Sequence, residues 1–374
     1  MSKPNLLFIF TDEQRLDTMA SYGNPYIDTP NMDRLANESV LFEQAYVTQS
    51  VCTPSRSSLM TGLYPHTNGC TQNNVSLSSD IPSLAELLDD PAYATAYHGK
   101  WHLGDEIFAQ HGFDEWVSID DGYAAYYSEG RDKNARSSYH HFLTENGFTP
   151  ENGSVFTRDK PLQVPEEYSK PAFLAQEASR FIREHQEQPF VLTVNFFEPH
   201  MPFFSQRDQQ YDPADVVLPP NFECPPTNDQ PLKTRAFRKV YEEGGHSGLS
   251  LRTEQDWRRM IANYWGLNSL VDTHLGKILD TIDECGLRED TIVVYTSDHG
   301  DMMGSHQLLA KCVMFEEAVK VPLMIRLPGQ KEGRRVSGPF SQIDLVPTLL
   351  DLMGQSIPDH LEGKSIKTGL EQDG

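Results

Sequence analysis

Leu6-Leu7-Phe8-Ile9-Phe10-Thr11-Asp12-Glu13 is the stretch that decides the fold. An unbroken apolar run that ends in two carboxylates reads as a buried strand delivering charge to its own carboxyl end. Four further β-rich runs share the pattern, at residues 93–97, 190–197, 291–296 and 322–327. Between them lie longer segments. Helix starts are expected after Thr29-Pro30, after Ile81-Pro82 and at Pro171, and one long helix is expected over about 253–285. The expected class is therefore α/β, with a large, mostly parallel central sheet sandwiched by helices.

Two segments break the rhythm. Residues 122–167 are polar and poorly periodic, and residues 207–248 carry Pro213, Pro219, Pro220, Pro225 and Pro226, which discourage regular structure. Both read as surface excursions near a substrate site, within one domain spanning 1–374. No internal repeat or low-complexity tract is present.

Composition excludes several classes. The chain has 374 residues, 31 basic against 54 acidic, for a formal charge of -23. Such a surface repels phosphate backbones, so neither nucleic acid nor an anionic membrane is an expected partner. Hydrophobic residues at 38% are too many for a disordered acidic chain. No stretch approaches a membrane span, and residues 6–10 are too few for a secretory core, so the expected compartment is the cytoplasm, or the periplasm or exterior if a signal has been removed. The five cysteines form an odd set without CxxC spacing, which suggests neither a disulfide framework nor a zinc site.

Chemistry gathers where the strands end. Residues 6–10 run into Asp12 and Glu13, 93–97 into Lys100 and His102, 190–197 into His200, and 291–296 into Asp298 and His299. In an open α/β sheet, ligands bind outside the carboxyl ends of the strands, so these clusters can converge on one pocket. Singly, each has a plainer reading: an Asp after a strand caps a turn, and a lone Lys is solvated.

One further segment tips the balance: Cys52-Thr53-Pro54-Ser55-Arg56-Ser57-Ser58-Leu59-Met60-Thr61-Gly62. Pro54 suits a helix start and Gly62 its end. Arg56, four residues on, can point back toward the helix N-terminus, where free N–H groups already favour an anion.

Cys52, Pro54 and Arg56 make the Cys-x-Pro-x-Arg signature, followed by Thr61-Gly62, and the chain here resembles the type I sulfatases of the alkaline-phosphatase-like superfamily. The resemblance continues through Gly99-Lys100-Trp101-His102-Leu103-Gly104, Glu198-Pro199-His200-Met201-Pro202-Phe203 and Ser297-Asp298-His299-Gly300-Asp301 to Lys311. It ends with Asp344-Leu345-Val346-Pro347-Thr348 and Leu361-Glu362-Gly363-Lys364-Ser365. Relatives continue past such a Gly-Lys-Ser segment into a small carboxyl-terminal subdomain. Here residues 355–374 are the end, so that subdomain is expected to be missing or minimal.

The resemblance implies a sulfatase that hydrolyses a sulfate ester, of a carbohydrate by motif style. Cys52 would become formylglycine through a maturation enzyme, and its hydrate would attack sulfur to give a covalent sulfo-enzyme. Arg56, Lys100, His102, His200 and Lys311 would complete the catalytic set, with His102 as base for sulfate release. Lys100, His200, Lys311 and Asn73 would contact the substrate. Asp12, Glu13, Cys52, Asp298 and His299 would hold a divalent metal, calcium first, with magnesium or manganese as alternatives. Two positions depart from the family pattern: Glu13 stands where many members have a second Asp, and His299 where several have Asn. Relatives with His at the position of His299 include phosphonate monoester hydrolases, and a phosphonate monoester hydrolase or phosphodiesterase of the same superfamily is the nearest alternative because it shares the formylglycine signature and metal site, although such enzymes usually carry neutral hydroxyl residues in place of Lys100 and His102. A catalytically silent sulfatase-like binding protein is the alternative from another class. Oligomeric state has no signature in the sequence.

Overall fold

The computed structural model describes residues 3–150, 153–158 and 163–371; parts of the 122–167 segment and of the 355–374 end therefore lie outside the described residues. The strands are β1 (Asn5–Asp12), β2 (Val40–Tyr46), β3 (Ala94–Gly99), β4 (Glu115–Val117), β5 (Phe190–Pro199), β6 (Thr291–Ser297), β7 (Lys320–Arg326), β8 (Arg334–Val336) and β9 (Phe340–Ser341). They form one nine-stranded sheet in the order β4-β3-β5-β1-β6-β7-β2-β8, with β9 also paired to β2. Only β7 runs against the rest, antiparallel to both β6 and β2. The expected sheet-and-helix class is the class found.

The principal helices are α1 (Pro30–Asn37), α2 (Cys52–Thr61), α3 (Ser138–Glu145), α4 (Lys170–Glu184), α5 (Leu232–Gly244), α6 (Glu254–Glu284) and α7 (Leu345–Leu352). They cover both faces of the sheet, which is why β1 is apolar without alternation. Leu7 and Ile9 pack into one core with α1, α4 and α6, while Leu6, Phe8 and Phe10 pack into the other with α2 and α7. Thr253 begins α6 with a capping box shared with Asp256, matching the long helix expected there. Among the described residues no helix is long and apolar enough to cross a membrane.

The two excursions are more ordered than their composition suggests. α3 forms inside 122–167, capped by Ser137, and buries Tyr139 and Leu143 in the main core. Eight residues are too few to display a helical period. In 207–248 the prolines do keep the chain irregular, but only to Pro231, after which α5 begins. The segment also supplies Val216 and Phe222 to a third apolar cluster built on α6. After Pro82 the expected helix is a single turn, Leu84–Leu87, capped by Ser83.

Candidate active site

Register brings the strand ends level. Asn195 of β5 stands opposite both Phe10 of β1 and Gly99 of β3, and Thr11 stands opposite Ser297 of β6. Asp12, Lys100, Asp298 and His200 therefore leave one edge of the sheet together. Gly99 permits this: its φ is +124°, and a Cβ there would sit 2.0 Å from the Asn195 carbonyl oxygen.

α2 reaches that edge with Cys52 at its first turn, and all ten of its residues are buried. Leu59 and Met60 join the α7-side core. Its hydroxyls are satisfied rather than solvated: Ser57 donates to the Pro54 carbonyl at 2.7 Å, Thr61 to the Ser57 carbonyl at 2.6 Å, and Ser55 to the Asp298 carbonyl. Gly62, at φ +68°, ends the helix as the left-handed residue.

Four donors of the expected metal set, Asp12, Cys52, Asp298 and His299, lie within 4.8 Å of one another. His299 donates Nδ1–H to the Gly300 carbonyl at 2.8 Å, so its Nε2 lone pair faces inward. That nitrogen is 3.2 Å from Cys52 Sγ, 3.6 Å from Asp12 Oδ1 and 3.5 Å from Asp298 Oδ1. Lone pairs converging in a buried space fit a divalent cation. The opposite oxygens are taken. Arg56 joins Asp298 Oδ2 at 2.8 Å to Asp12 Oδ2 at 2.9 Å, and Lys100 also pairs with Asp12 Oδ2. Burial alone would raise Asp12, but Lys100, His200, Arg56 and Lys311 hold it well below the usual carboxylate range. Burial, with the Asp12 charge, pushes the Cys52 thiol up to about 11.

Arg56 spends its remaining donors on the Lys100 carbonyl at 2.7 Å and Asn195 Oδ1 at 2.8 Å. Its role in the structure is to hold the carboxylates in place. Asn195 was absent from the sequence reading, though a lone amide in the run 190–197 is a visible signal.

Glu13 lies outside this group of four but forms a second one with Asp12 and His200, again within 4.8 Å of one another. It takes a left-handed φ of 71°, and its Oε2 lies 2.7 Å from Lys311 Nζ and 3.4 Å from His200 Nε2. Its Oε1 is buried without a partner. His200 donates Nδ1–H to the Met201 carbonyl at 2.7 Å. His102, also left-handed at φ 59°, sets Nε2 2.9 Å from Asn74 Oδ1, while its Nδ1 is buried and unpartnered. Burial, together with Lys100 and Arg56, holds His102 well below the ordinary imidazole value. Asn73 is set differently: its Oδ1 accepts the Thr53 N–H at 3.0 Å and so caps the start of α2. The amide beside His102 is Asn74. Tyr123, from the 122–167 segment, packs its ring 4.6 Å from the His102 ring.

Geometry of this kind can be compared with known proteins. The model of the family described as Sulfatase matches residues 4–355. The chain belongs to the sulfatase family. Among curated relatives of this sulfatase-family chain, an ulvan-active sulfatase of Formosa agariphila is 30% identical across 98% of the chain, which spans 64% of that relative's length. An N-acetylglucosamine-6-O-sulfatase of Bacteroides thetaiotaomicron is 28% identical across 100% of the chain and 72% of its own length. Among solved structures, the phosphonate monoester hydrolase of Agrobacterium radiobacter superposes with a TM-score of 0.81 at 28% identity, covering 98% of this chain and 77% of that one. The alkaline-phosphatase-like fold expected from the motifs is thus the fold of its structural neighbours.

Proposed function

We propose that the protein is a sulfatase acting on a sulfate ester of a carbohydrate, with Cys52 as the site of the nucleophile. The observation that carries this reading is the position of Cys52 Sγ, 3.2 Å from His299 Nε2, inside a buried set of metal-ligand side chains. The sugar preference draws on relatives whose names specify ulvan and N-acetylglucosamine-6-O-sulfate activity.

Asp12, Asp298, His299 and the group at position 52 would hold the divalent ion, calcium first among candidates, which when bound supplies Lewis-acid polarisation of the attacking and sulfuryl oxygens. Oxidation of Cys52 to formylglycine, by a maturation enzyme using an external oxidant such as dioxygen, would supply a hydrated aldehyde: one hydroxyl oxygen would bond to sulfur as the bond from sulfur to the alcohol oxygen breaks, and the second hydroxyl would lose its proton as the carbon–oxygen bond to sulfate breaks and the aldehyde reforms. An unmodified thiol held up near 11 is a poor nucleophile at neutral pH, which favours that conversion. Lys100 and Lys311 bring positive charge to the oxygens where negative charge develops. His102 would take the proton of the second hydroxyl at Nδ1, since its Nε2–H is held by Asn74. Lys311 would deliver a proton to the departing alcohol oxygen, with His200 beside it holding the ester, both oriented by Glu13. Arg56 and Asn195 fix the two carboxylates that this arrangement depends on.

Mass spectrometry of the Cys52 peptide, paired with sulfate release from a panel of sulfated mono- and disaccharides, tests the reading. A fully occupied thiol in an active preparation would sink the formylglycine mechanism. The second reading is phosphonate monoester hydrolysis, which the neighbour at TM-score 0.81 and the imidazole at position 299 favour. Faster turnover of a phosphonate monoester than of any sulfate ester would select it.

A further inference from the structure

Five of the 31 basic residues fall between positions 233 and 252, against two of the 54 acidic ones, a local inversion of the chain's overall charge. They line a groove of about 640 Å³ between α5 and the turn that carries Arg252. Its charged walls are Arg235, Arg238, Lys239 and Arg252, with Glu242 and Glu243.

Most of these cations have only neutral partners. Arg238 donates to Gln307 Oε1 at 2.8 Å, and Arg252 donates to the carbonyls of Glu242 and Glu243 at 3.4 and 3.2 Å. Arg235 donates to Asn228 Oδ1 at 3.3 Å, while its Nε is buried with no partner. Lys239 alone among the four meets a carboxylate, Glu243 at 3.7 Å. Hydrogen bonds to neutral acceptors hold the side chains in place and leave their charge uncompensated.

The helix that walls the groove packs on the segment that leads to Lys311. Phe237 of α5 packs on Met302, Leu308 and Val313, in the segment that carries Lys311. Gln307, the anchor of Arg238, stands four residues before Lys311.

We propose that this groove binds the anionic repeat of an oligosaccharide chain, so that the substrate is an end or internal unit of a polyanionic glycan rather than an isolated sugar sulfate. The proposal rests on the sulfate-ester reading for its substrate, but its binding test does not. An extended chain of regularly spaced sulfates or carboxylates is the ligand that fixed guanidinium groups recognise in pairs. Nucleic acid is the competing polyanion, disfavoured by the chain's formal charge of -23.

Direct binding by titration calorimetry decides it, using dextran sulfate, neutral dextran and single-stranded DNA as probes. Wild-type protein is expected to bind dextran sulfate with an affinity that falls as salt rises, and to ignore neutral dextran. The double variant R235Q/K239E should bind about tenfold more weakly, and Glu242→Gln, which removes an opposing charge from the same wall, should bind more tightly. A misfolded protein cannot produce that gain. Turnover of a small aryl sulfate should stay within about twofold in both variants, since neither touches the Cys52 cluster. Dextran sulfate binding that is absent, or indifferent to both variants, overturns the proposal, and so does a preference for DNA. Loss of binding in the double variant from a protein that turns over no sulfate ester would leave the groove standing and remove the sulfatase reading instead.

Discussion

Cys52 Sγ and His299 Nε2 stand 3.2 Å apart, with the Asp12 and Asp298 carboxylates on either side of the imidazole. Two consequences follow for the proposed divalent ion. His299→Ala removes the one ring nitrogen among the four clustered donors and should weaken divalent-ion binding about 100-fold or more, read by calorimetry with calcium and manganese. Chelation of wild-type protein should lower Tm, and chelation of the variant should change Tm little.

Cys52→Ala keeps a small side chain in the buried position but has no heteroatom on Cβ for oxidation to turn into an aldehyde. Sulfate-ester turnover should fall to background while the unfolding midpoint in urea shifts by less than about 1 kcal/mol equivalent. Residual turnover at the wild-type rate would remove Cys52 from the chemistry.

Arg56 is buried and paired with two buried carboxylates. Arg56→Leu leaves both without their shared cation and should cost about 3–5 kcal/mol, measured by urea unfolding at constant slope. Arg56→Lys should recover part of the stability but not the activity, because an ammonium group cannot span the same fork. Added divalent ion should restore more of the lost stability in Arg56→Leu than in wild type, since the freed carboxylates gain a substitute charge.

Gly99→Ala puts a methyl group 2.0 Å from the Asn195 carbonyl in a backbone region L residues rarely adopt. The loss should exceed about 2 kcal/mol. Its effect on turnover should be larger than on substrate affinity, because β3 and β5 carry Lys100 and His200 to the site.

His274 of α6 is buried with neither ring nitrogen hydrogen-bonded, and burial, with Lys277, lowers it to about 3. The folded state therefore excludes a proton that the unfolded chain takes up below about 6.5. Its contribution to stability is full above that value and is lost as pH falls toward about 3, at no more than about 1.4 kcal/mol per pH unit. His274→Gln should flatten the fall in urea midpoint between pH 6.5 and 4. An unchanged slope would assign the acid sensitivity elsewhere.

The central strands were legible because burial on both faces demands continuous apolar runs, and β1, β3, β5, β6 and β7 all sit where such runs occur. β2 escaped notice because Glu43 and Gln44 interrupt it where its register slips against β7. α5 does carry a helical stripe, Leu232, Ala236, Phe237, Val240 and Tyr241, but the prolines just before it gave the whole 207–248 segment an irregular reading. At the site, residue types and positions after strands were readable, as was the gathering of Asp12, Cys52, Asp298 and His299. Side-chain direction was not. Glu13 follows Asp12 directly, and a left-handed backbone sets its carboxylate beside Lys311 and His200; Asn73 caps α2 while Asn74 meets His102, a division that adjacency in sequence does not encode.

α2 is buried from end to end, and Cys52 itself is 1% exposed. A macromolecular reagent that must grip the chain around residue 52 has no purchase on the finished fold. The proposed conversion of that thiol by a maturation enzyme would therefore be confined to the interval between synthesis and closure of the sheet over α2. Folding speed then sets the fraction of molecules that can be edited, so slowing the collapse of the 52–61 segment should raise occupancy, and refolding from purified unedited chains should give a population that no later exposure to the same reagent can correct.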